Sequence, residues 1–213
     1  MIDVASSPKT DVLTTGTTTV GIVVKDGIVI GTESQATAGY YVASKQAQKL
    51  FKINNHTAAT ISGGVADCQY VVRQAQAISR LETVRNRGDE PPTKYIAEVV
   101  KNILFSGRSF FMAMMIVGGW DTRQKVPKLY GIDLLGTLYQ EKEFLAFGSG
   151  SPFALGVIQS EWRPEMTKEE GIELVKKAIT AARTRDAASG FDIQLCTIDK
   201  DGFKPVQGIH SEN

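Results

Sequence analysis

Apolar and polar positions divide the chain into blocks of strand and blocks of helix. Thr17 to Val24 is β-branched and apolar, Lys25-Asp26-Gly27 makes a turn, and Ile28-Val29-Ile30 resumes the run. Asp-Gly between two such runs predicts a hairpin. The runs are nearly continuous in apolar character, as in strands covered on both faces. Glu33 to Gly39 is small and polar, a strand end passing into a loop. Short strands are predicted at Tyr41 to Ala43, Lys49 to Ile53 and His56 to Ser62, with Gly63-Gly64 closing the last.

The period then changes. From Ala66 to about Arg87, Cys68, Val71, Ala75, Ile78 and Leu81 recur at three and four residues and predict one buried helix face. Gly88 and Pro91-Pro92 end this helix and start another, whose stripe is Ile96, Val99, Val100, Ile103 and Leu104. A short turn between consecutive helices predicts an antiparallel pair. Phe110 to Val117 reads as a buried strand ending at Gly118-Gly119. Lys128 to Asp133 and Thr137 to Phe144 read as strands joined around Gly136. Ser151-Pro152 suits an N-cap and first helical residue, for a helix running towards Glu161. Thr167 to Glu170 is a capping box opening a long helix with Ile172, Val175, Ile179 and Ala182 buried. Strands at Phe191 to Ile198 and Phe203 to Val206, joined by Asp201-Gly202, close the pattern. Strands, two helices, strands, two helices, strands is an α+β order, expected to give two sheets between helix layers in one domain.

Composition narrows the chemistry. The chain has 213 residues, 42% hydrophobic and 22% charged, with a formal net charge of +1. That balance offers no electrostatic case for nucleic acid or an acidic membrane surface. Charged or glycine residues interrupt every apolar run before spanning length. Met1 to Thr15 lacks a positive region followed by an apolar core, so it is not a secretory signal. Cys68 and Cys196 lie far apart, within apolar segments, as buried thiols in a reducing cytoplasm would.

Nucleophile systems can be screened by subtraction. His56 and His210 are the two histidines, one at a strand start and one in the tail, so a Ser-His-Asp triad is poorly supplied. No metal-ligand spacing occurs, and no cofactor is expected. Gly148-Ser-Gly-Ser lacks the Gly-Lys-Ser/Thr ending of a phosphate loop. Gly16-Thr17-Thr18-Thr19 offers another route, because a threonine whose own α-amine is free carries its base with it. Any of the three threonines could serve, and the run could equally be a plain strand start. Glu33, Lys49 and Asp186 are isolated charges, each with an ordinary reading as a strand end, an edge charge or a helix terminus.

Five stretches taken together resemble a proteasome β-subunit of the archaeal type, within the N-terminal nucleophile hydrolases. They are Gly16-Thr-Thr-Thr-Val-Gly-Ile22, Ala47-Gln-Lys49-Leu-Phe51, Thr60-Ile-Ser-Gly63, Gly148-Ser-Gly-Ser-Pro152 and Arg185-Asp186-Ala-Ala-Ser189-Gly190, in family order. The resemblance spans Thr17 to about Val206. It implies a four-layer αββα sandwich of two mainly antiparallel sheets. It implies a propeptide, residues 1–16, removed by autocatalysis between Gly16 and Thr17, and a single catalytic domain, residues 17–213.

By the same resemblance Thr17 is the nucleophile and its α-amine the base, Lys49 the active-site lysine and Glu33 its acidic partner. Ser149, Asp186 and Ser189 surround the amine, and Gly63 donates its N–H to the oxyanion. Thr37 pairs with an extended substrate, and Ala36, Ala47, Ile61 and Val65 line an apolar side-chain pocket. Gln35 departs from the family, which often has arginine there. The implied activity is that of a threonine-type endopeptidase. Its implied partners are other β-subunits in a seven-membered ring, α-subunits, an AAA ATPase regulator and unfolded polypeptide. The alternative is a catalytically silent structural β-subunit of a mixed ring.

Overall fold

The computed structural model describes residues 16–209. Apart from Gly16 the expected propeptide lies outside the described residues, as does the tail from His210.

Among the described residues twelve strands and four helices follow one another. Strands β1 (Thr19–Val24), β2 (Gly27–Glu33), β3 (Ala36–Ala38), β4 (Tyr41–Ser44), β5 (Leu50–Asn54) and β6 (Thr57–Gly63) come first. Helices α1 (Val65–Arg85) and α2 (Thr93–Ser106) precede β7 (Ala113–Asp121), β8 (Val126–Ile132), β9 (Leu138–Glu141) and β10 (Phe144–Phe147). Helices α3 (Ser151–Glu161) and α4 (Lys168–Arg183) precede β11 (Ile193–Asp199) and β12 (Gly202–Gln207).

Two five-stranded sheets run β10-β1-β2-β11-β12 and β5-β6-β7-β8-β9, and β3-β4 form a separate hairpin. The paired strands within them are antiparallel. Three apolar clusters define the layers. Val71, Ala75, Ile96 and Val100 pack helices α1 and α2 on Met115 and Val117 of the second sheet. Ile158, Val175 and Ile179 pack α3 and α4 on Val20, Ile22 and Leu195 of the first sheet. Ile28, Ile30, Ile116, Leu129 and Cys196 fill the space between the sheets. This is the expected αββα sandwich. Strands buried on both faces explain why β2 and β11 read as continuous apolar runs.

Several elements differ from expectation, each for a physical reason. β7 runs through Gly118 and Gly119 instead of ending there. A Cβ at Gly118 would lie 2.6 Å from Ile30 Cδ1, and one at Gly119 2.2 Å from the His56 carbonyl oxygen. These glycines permit close approach rather than a turn. The single strand expected over Thr137 to Phe144 is two, β9 in the second sheet and β10 in the first. Gly150, not Ser151, is the N-cap of α3, with Pro152 inside the first turn. On α1 the spacing from Cys68 to Leu81 averages less than 3.6 residues, so the stripe drifts around the helix. Leu81 ends 49% exposed, and Val72 and Ser79 take the buried face instead. The capping box of α4 forms as expected, Thr167 Oγ1 accepting from Glu170 N–H and Glu170 Oε2 from Thr167 N–H.

Candidate active site

Thr17 stands two residues before β1 and is 2% exposed. β1 pairs with β2 in a register that sets Thr19 opposite Thr32, so Glu33, the last residue of β2, comes beside Thr18. Lys49 immediately precedes β5 on the second sheet. Stacking the sheets brings the Lys49 ammonium between Glu33 and Thr17. Its Nζ donates to Glu33 Oε1 at 2.5 Å and to Thr17 Oγ1 at 3.0 Å. Glu33 is fully buried and Lys49 2% exposed. The ordinary readings of these residues as a solvated strand end and an edge charge therefore do not apply.

Burial on this scale requires full partnering. Glu33 obtains it from four donors. Oε1 accepts from Lys49 Nζ and from Thr18 N–H at 3.3 Å. Oε2 accepts from Gln35 N–H at 2.7 Å and Gly190 N–H at 3.0 Å. Desolvation lowers the Lys49 pKa below the usual lysine value of 10.5, and the Glu33 carboxylate opposes that shift.

A second network meets the other side of Thr17. Thr17 N–H donates to Ser149 Oγ at 3.2 Å. Ser149 Oγ donates to Asp186 Oδ2 at 2.6 Å, and Ser189 Oγ donates to the same oxygen at 2.5 Å. Thr18 Oγ1 lies 2.7 Å from Ser189 Oγ, and since the Ser189 proton is committed to Asp186, Thr18 is the donor. Ser149 comes from the loop between β10 and α3, and Asp186 and Ser189 from the turn after α4. The two glycines flanking Ser149 let that loop lie against the threonines. A Cβ at Gly148, whose φ is +96°, would fall 2.0 Å from the Thr17 carbonyl oxygen, and one at Gly150 1.9 Å from Thr18 Oγ1.

The peptide bond ahead of Thr17 lies in the same place. Thr17 Oγ1 donates to the Gly16 carbonyl oxygen at 2.6 Å. A Cβ on Gly16 would meet Ala188 Cβ at 1.8 Å and Ser149 Oγ at 2.7 Å, so only glycine fits. Gly63 ends β6 with φ of +120°, and a side chain there would meet the Met112 carbonyl oxygen at 2.1 Å.

Thr17, Glu33, Lys49, Ser149, Asp186 and Ser189 thus form one connected cluster. The anticipated pocket residues are less uniform. Ala36, Ala47 and Val65 are partly exposed, whereas Ile61 is 2% exposed and packs in the cluster under α1 and α2. Thr37 lies on β3, where its Oγ1 accepts from Gln35 Nε2 at 3.0 Å. The same Nε2 donates to the Ala187 carbonyl at 3.0 Å, tying the β3 hairpin to the turn that carries Asp186. Thr18, a candidate nucleophile in the sequence, joins the cluster instead as a donor to Glu33 and Ser189, a role that was not anticipated. Its place inside the threonine run hid it, because β-branched residues there are explained by the strand alone.

Both cysteines are buried, and burial pushes the Cys68 thiol up to about 12 and the Cys196 thiol up as well. Neither is a ready thiolate. A cavity of about 850 Å³ lies between α1 and β5 and is lined by Lys52, Arg73, Gln76 and Arg80. It holds none of the cluster. The convergence of buried charge on a hydroxyl, rather than cavity size, marks the candidate site.

Comparison with known proteins gives one consistent result. A family profile described as "Proteasome subunit" matches residues 13–198. A protein of Archaeoglobus profundus named "Proteasome subunit beta" is 43% identical over 189 residues, 88% of this chain and 86% of the relative. A protein of the same name from Methanococcus aeolicus is 45% identical over 190 residues, 89% of this chain and 87% of the relative. "Proteasome subunit beta 1" of Caldivirga maquilingensis is 37% identical over 209 residues, 97% of this chain and all of the relative.

Proposed function

Since the chain belongs to the proteasome subunit family, we propose that it is a proteolytic β-subunit of a proteasome core particle, a threonine-type endopeptidase made as a precursor. The observation that carries this reading is the position of Thr17 Oγ1. It lies 3.0 Å from a buried ammonium and 2.6 Å from the carbonyl oxygen of the residue before it.

Maturation uses that contact. Thr17 Oγ attacks the Gly16 carbonyl carbon, the Gly16–Thr17 C–N bond breaks as the nitrogen takes the hydroxyl proton, and water hydrolyses the resulting ester. Residues 1–16 leave and the mature chain, residues 17–213, begins with a free α-amine. In peptide hydrolysis the same hydroxyl attacks the scissile carbonyl of an unfolded polypeptide and passes its proton to that amine, which hands it to the leaving nitrogen as the scissile C–N bond breaks and the acyl ester forms. Lys49 favours the alkoxide, Glu33 holds Lys49, and Ser149, Asp186 and Ser189 hold the amine. Gly63 N–H stabilises the oxyanion, where a side chain would crowd it. Water then releases the acyl group. Thr37 offers its backbone to the extended substrate.

Ala36, Ala47, Ile61 and Val65 are small or apolar and uncharged, and a substrate pocket built from them favours apolar residues before the cut. Fluorogenic peptides ending in Tyr, Arg or Glu test this, and preference for Arg would reject it. The partners are further β-subunits and α-subunits in stacked rings of a cytoplasmic particle, fed by an AAA ATPase. Intact mass of the assembled protein is the decisive test. Wild type loses its first sixteen residues, and Thr17→Ala keeps them and cleaves no peptide. Loss of those residues in Thr17→Ala would refute the scheme.

A further inference from the structure

Lys49 is placed by a backbone stretch that belongs to no strand or helix. Residues 45–49 form a bend and irregular chain between β4 and β5, and β5 is an edge strand. Two residues from the side of the opposite sheet hold this stretch. Ser34 donates to the Lys45 carbonyl at 2.6 Å through its Oγ and accepts from Ala47 N–H at 2.9 Å through its carbonyl, and Gln194 reaches Lys49 itself. Gln194 lies on β11 and is 4% exposed. It shares a strand face with Cys196 and Ile198, which pack between the sheets. Its Oε1 accepts from Lys49 N–H at 2.8 Å and from Leu50 N–H at 3.1 Å, and its Nε2 donates to the Ala47 carbonyl at 2.9 Å.

The amide can be oriented only one way, because two donors face one end and an acceptor faces the other. Successive N–H groups of a strand point in opposite directions. Here two successive ones converge on a single oxygen, so the backbone departs from strand geometry as it enters β5. Ile61 N–H fixes the Lys49 carbonyl at 3.0 Å, and Gln194 fixes the Lys49 and Leu50 N–H groups.

We infer that Gln194 is a positioning residue, holding the Ala47–Leu50 backbone so that the Lys49 ammonium stands beside Thr17 Oγ1 and Ala47 stands in the substrate pocket. The inference rests on the hydrolase reading above. Lys49 is enclosed and bonded at both ends of its reach, to Glu33 and Thr17, so it has no slack to absorb a backbone shift. A displacement of 1 Å at a reacting group costs on the order of 100-fold in rate. The ionisable groups that face Lys49 are Glu33, Asp186 and Cys68, joined in the processed chain by the Thr17 α-amine. Gln194 adds polar contacts to this set but no charge.

Two variants of the assembled, processed particle test the role. Gln194→Met keeps the volume between the sheets and removes both hydrogen-bonding ends. Gln194→Glu keeps an oxygen for the two N–H groups but loses the donor to Ala47. For Gln194→Met the expected result is a fall in kcat of about 10- to 100-fold. The alkaline limb of its pH profile moves up towards the ordinary lysine value of 10.5 as Lys49 gains water. Gln194→Glu retains most of kcat and shows a raised KM for peptides with an apolar residue before the cut. The inference is overturned if Gln194→Met keeps kcat within about twofold with an unmoved limb, or if Gln194→Glu loses as much kcat as Gln194→Met. If Gln194→Met fails to assemble, the KM-against-kcat split of Gln194→Glu decides alone. An active wild type with indifferent variants removes this inference only. An assembled wild type that keeps residues 1–16 and cleaves no peptide removes the hydrolase reading with it.

Discussion

Replacing Glu33 by Gln is a demanding test of the buried pair. The four donors on Glu33 divide evenly, Lys49 Nζ and Thr18 N–H on one oxygen, Gln35 N–H and Gly190 N–H on the other. Whichever way a glutamine amide turns, its NH₂ end meets two donors. Each unsatisfied donor costs about 1–3 kcal/mol. The larger effect is on Lys49, left charged in a site without its counter-ion, and breaking one side of a buried pair costs about 3–5 kcal/mol. These losses overlap, so the expected destabilisation is about 3–5 kcal/mol, a large part of a domain's margin.

Urea denaturation of the full chain measures it, with every variant built on Thr17→Ala so that each keeps its first sixteen residues. The cycle is completed by Lys49→Met and the double variant. The double variant is expected to lose less than the sum of the two singles, because removing the lysine abolishes the orphan charge. The pH dependence has a definite sign. The folded-state pKa of Lys49 lies below its unfolded value of 10.5, so between them the unfolded chain binds more protons and stability rises with pH. Removing Glu33 takes away the largest influence opposing that depression. The window then widens downwards, and Glu33→Gln gains more stability than its parent as pH rises from 7 towards 10.5. A single-variant loss below about 1 kcal/mol, or additivity within about 0.5 kcal/mol, would refute the account.

Gly16→Ala places a methyl 1.8 Å from Ala188 Cβ, so the assembled particle is expected to keep residues 1–16 by intact mass; adding Ala188→Gly, which removes the nearest clash, restores part of the processing. Gly63→Ala meets both a φ of +120° and the Met112 carbonyl at 2.1 Å, so peptide hydrolysis is expected to vanish even where the variant assembles, and a normal rate would rule out a tight oxyanion position. Thr167→Ala removes the capping box of α4 and should cost about 1 kcal/mol in thermal unfolding, with little effect on kcat because the box lies at the opposite end of α4 from Asp186. Peptide hydrolysis by wild type should decline on the alkaline side at a pH below 10.5, as Lys49 loses its proton, whereas a rate constant to pH 10.5 would count against the ammonium's role.

Elements governed by local chemistry were legible in the sequence. Thr167 and Glu170 declare the start of α4 because both halves of the capping box lie within one turn. The turn at Lys25-Asp26 joins β1 to β2 because the residues that fit it lie side by side. Features decided by distant partners were not legible. Gly118 and Gly119 look like a strand end until the opposing Ile30 and His56 backbone are in place. Thr137 to Phe144 looks like one strand because a change of sheet leaves no mark on the alternation. The catalytic candidates were found through spacing that resembles a family, since a lone Glu33 or Lys49 has no local signature of burial. Gln194 lay beyond that route, because an amide in an apolar strand announces neither its partners nor their distance.

The carboxylate of Asp186 gains a further meaning from its surroundings. Among the described residues it forms no ion pair, and its hydrogen bonds come from Ser149, Ser189 and the Ala188 N–H. While the Gly16–Thr17 bond is intact, the nitrogen at the far end of the Ser149 link is a neutral amide. On the proposed reaction the cut turns that nitrogen into a group able to carry positive charge. The anion is thus installed before the cation it answers to exists. Cleavage would complete an electrostatic circuit left open in the precursor, so the freshly exposed terminus is held in place by the act that creates it. On that proposal maturation would run in one direction for a reason internal to the fold, beyond the escape of the severed segment.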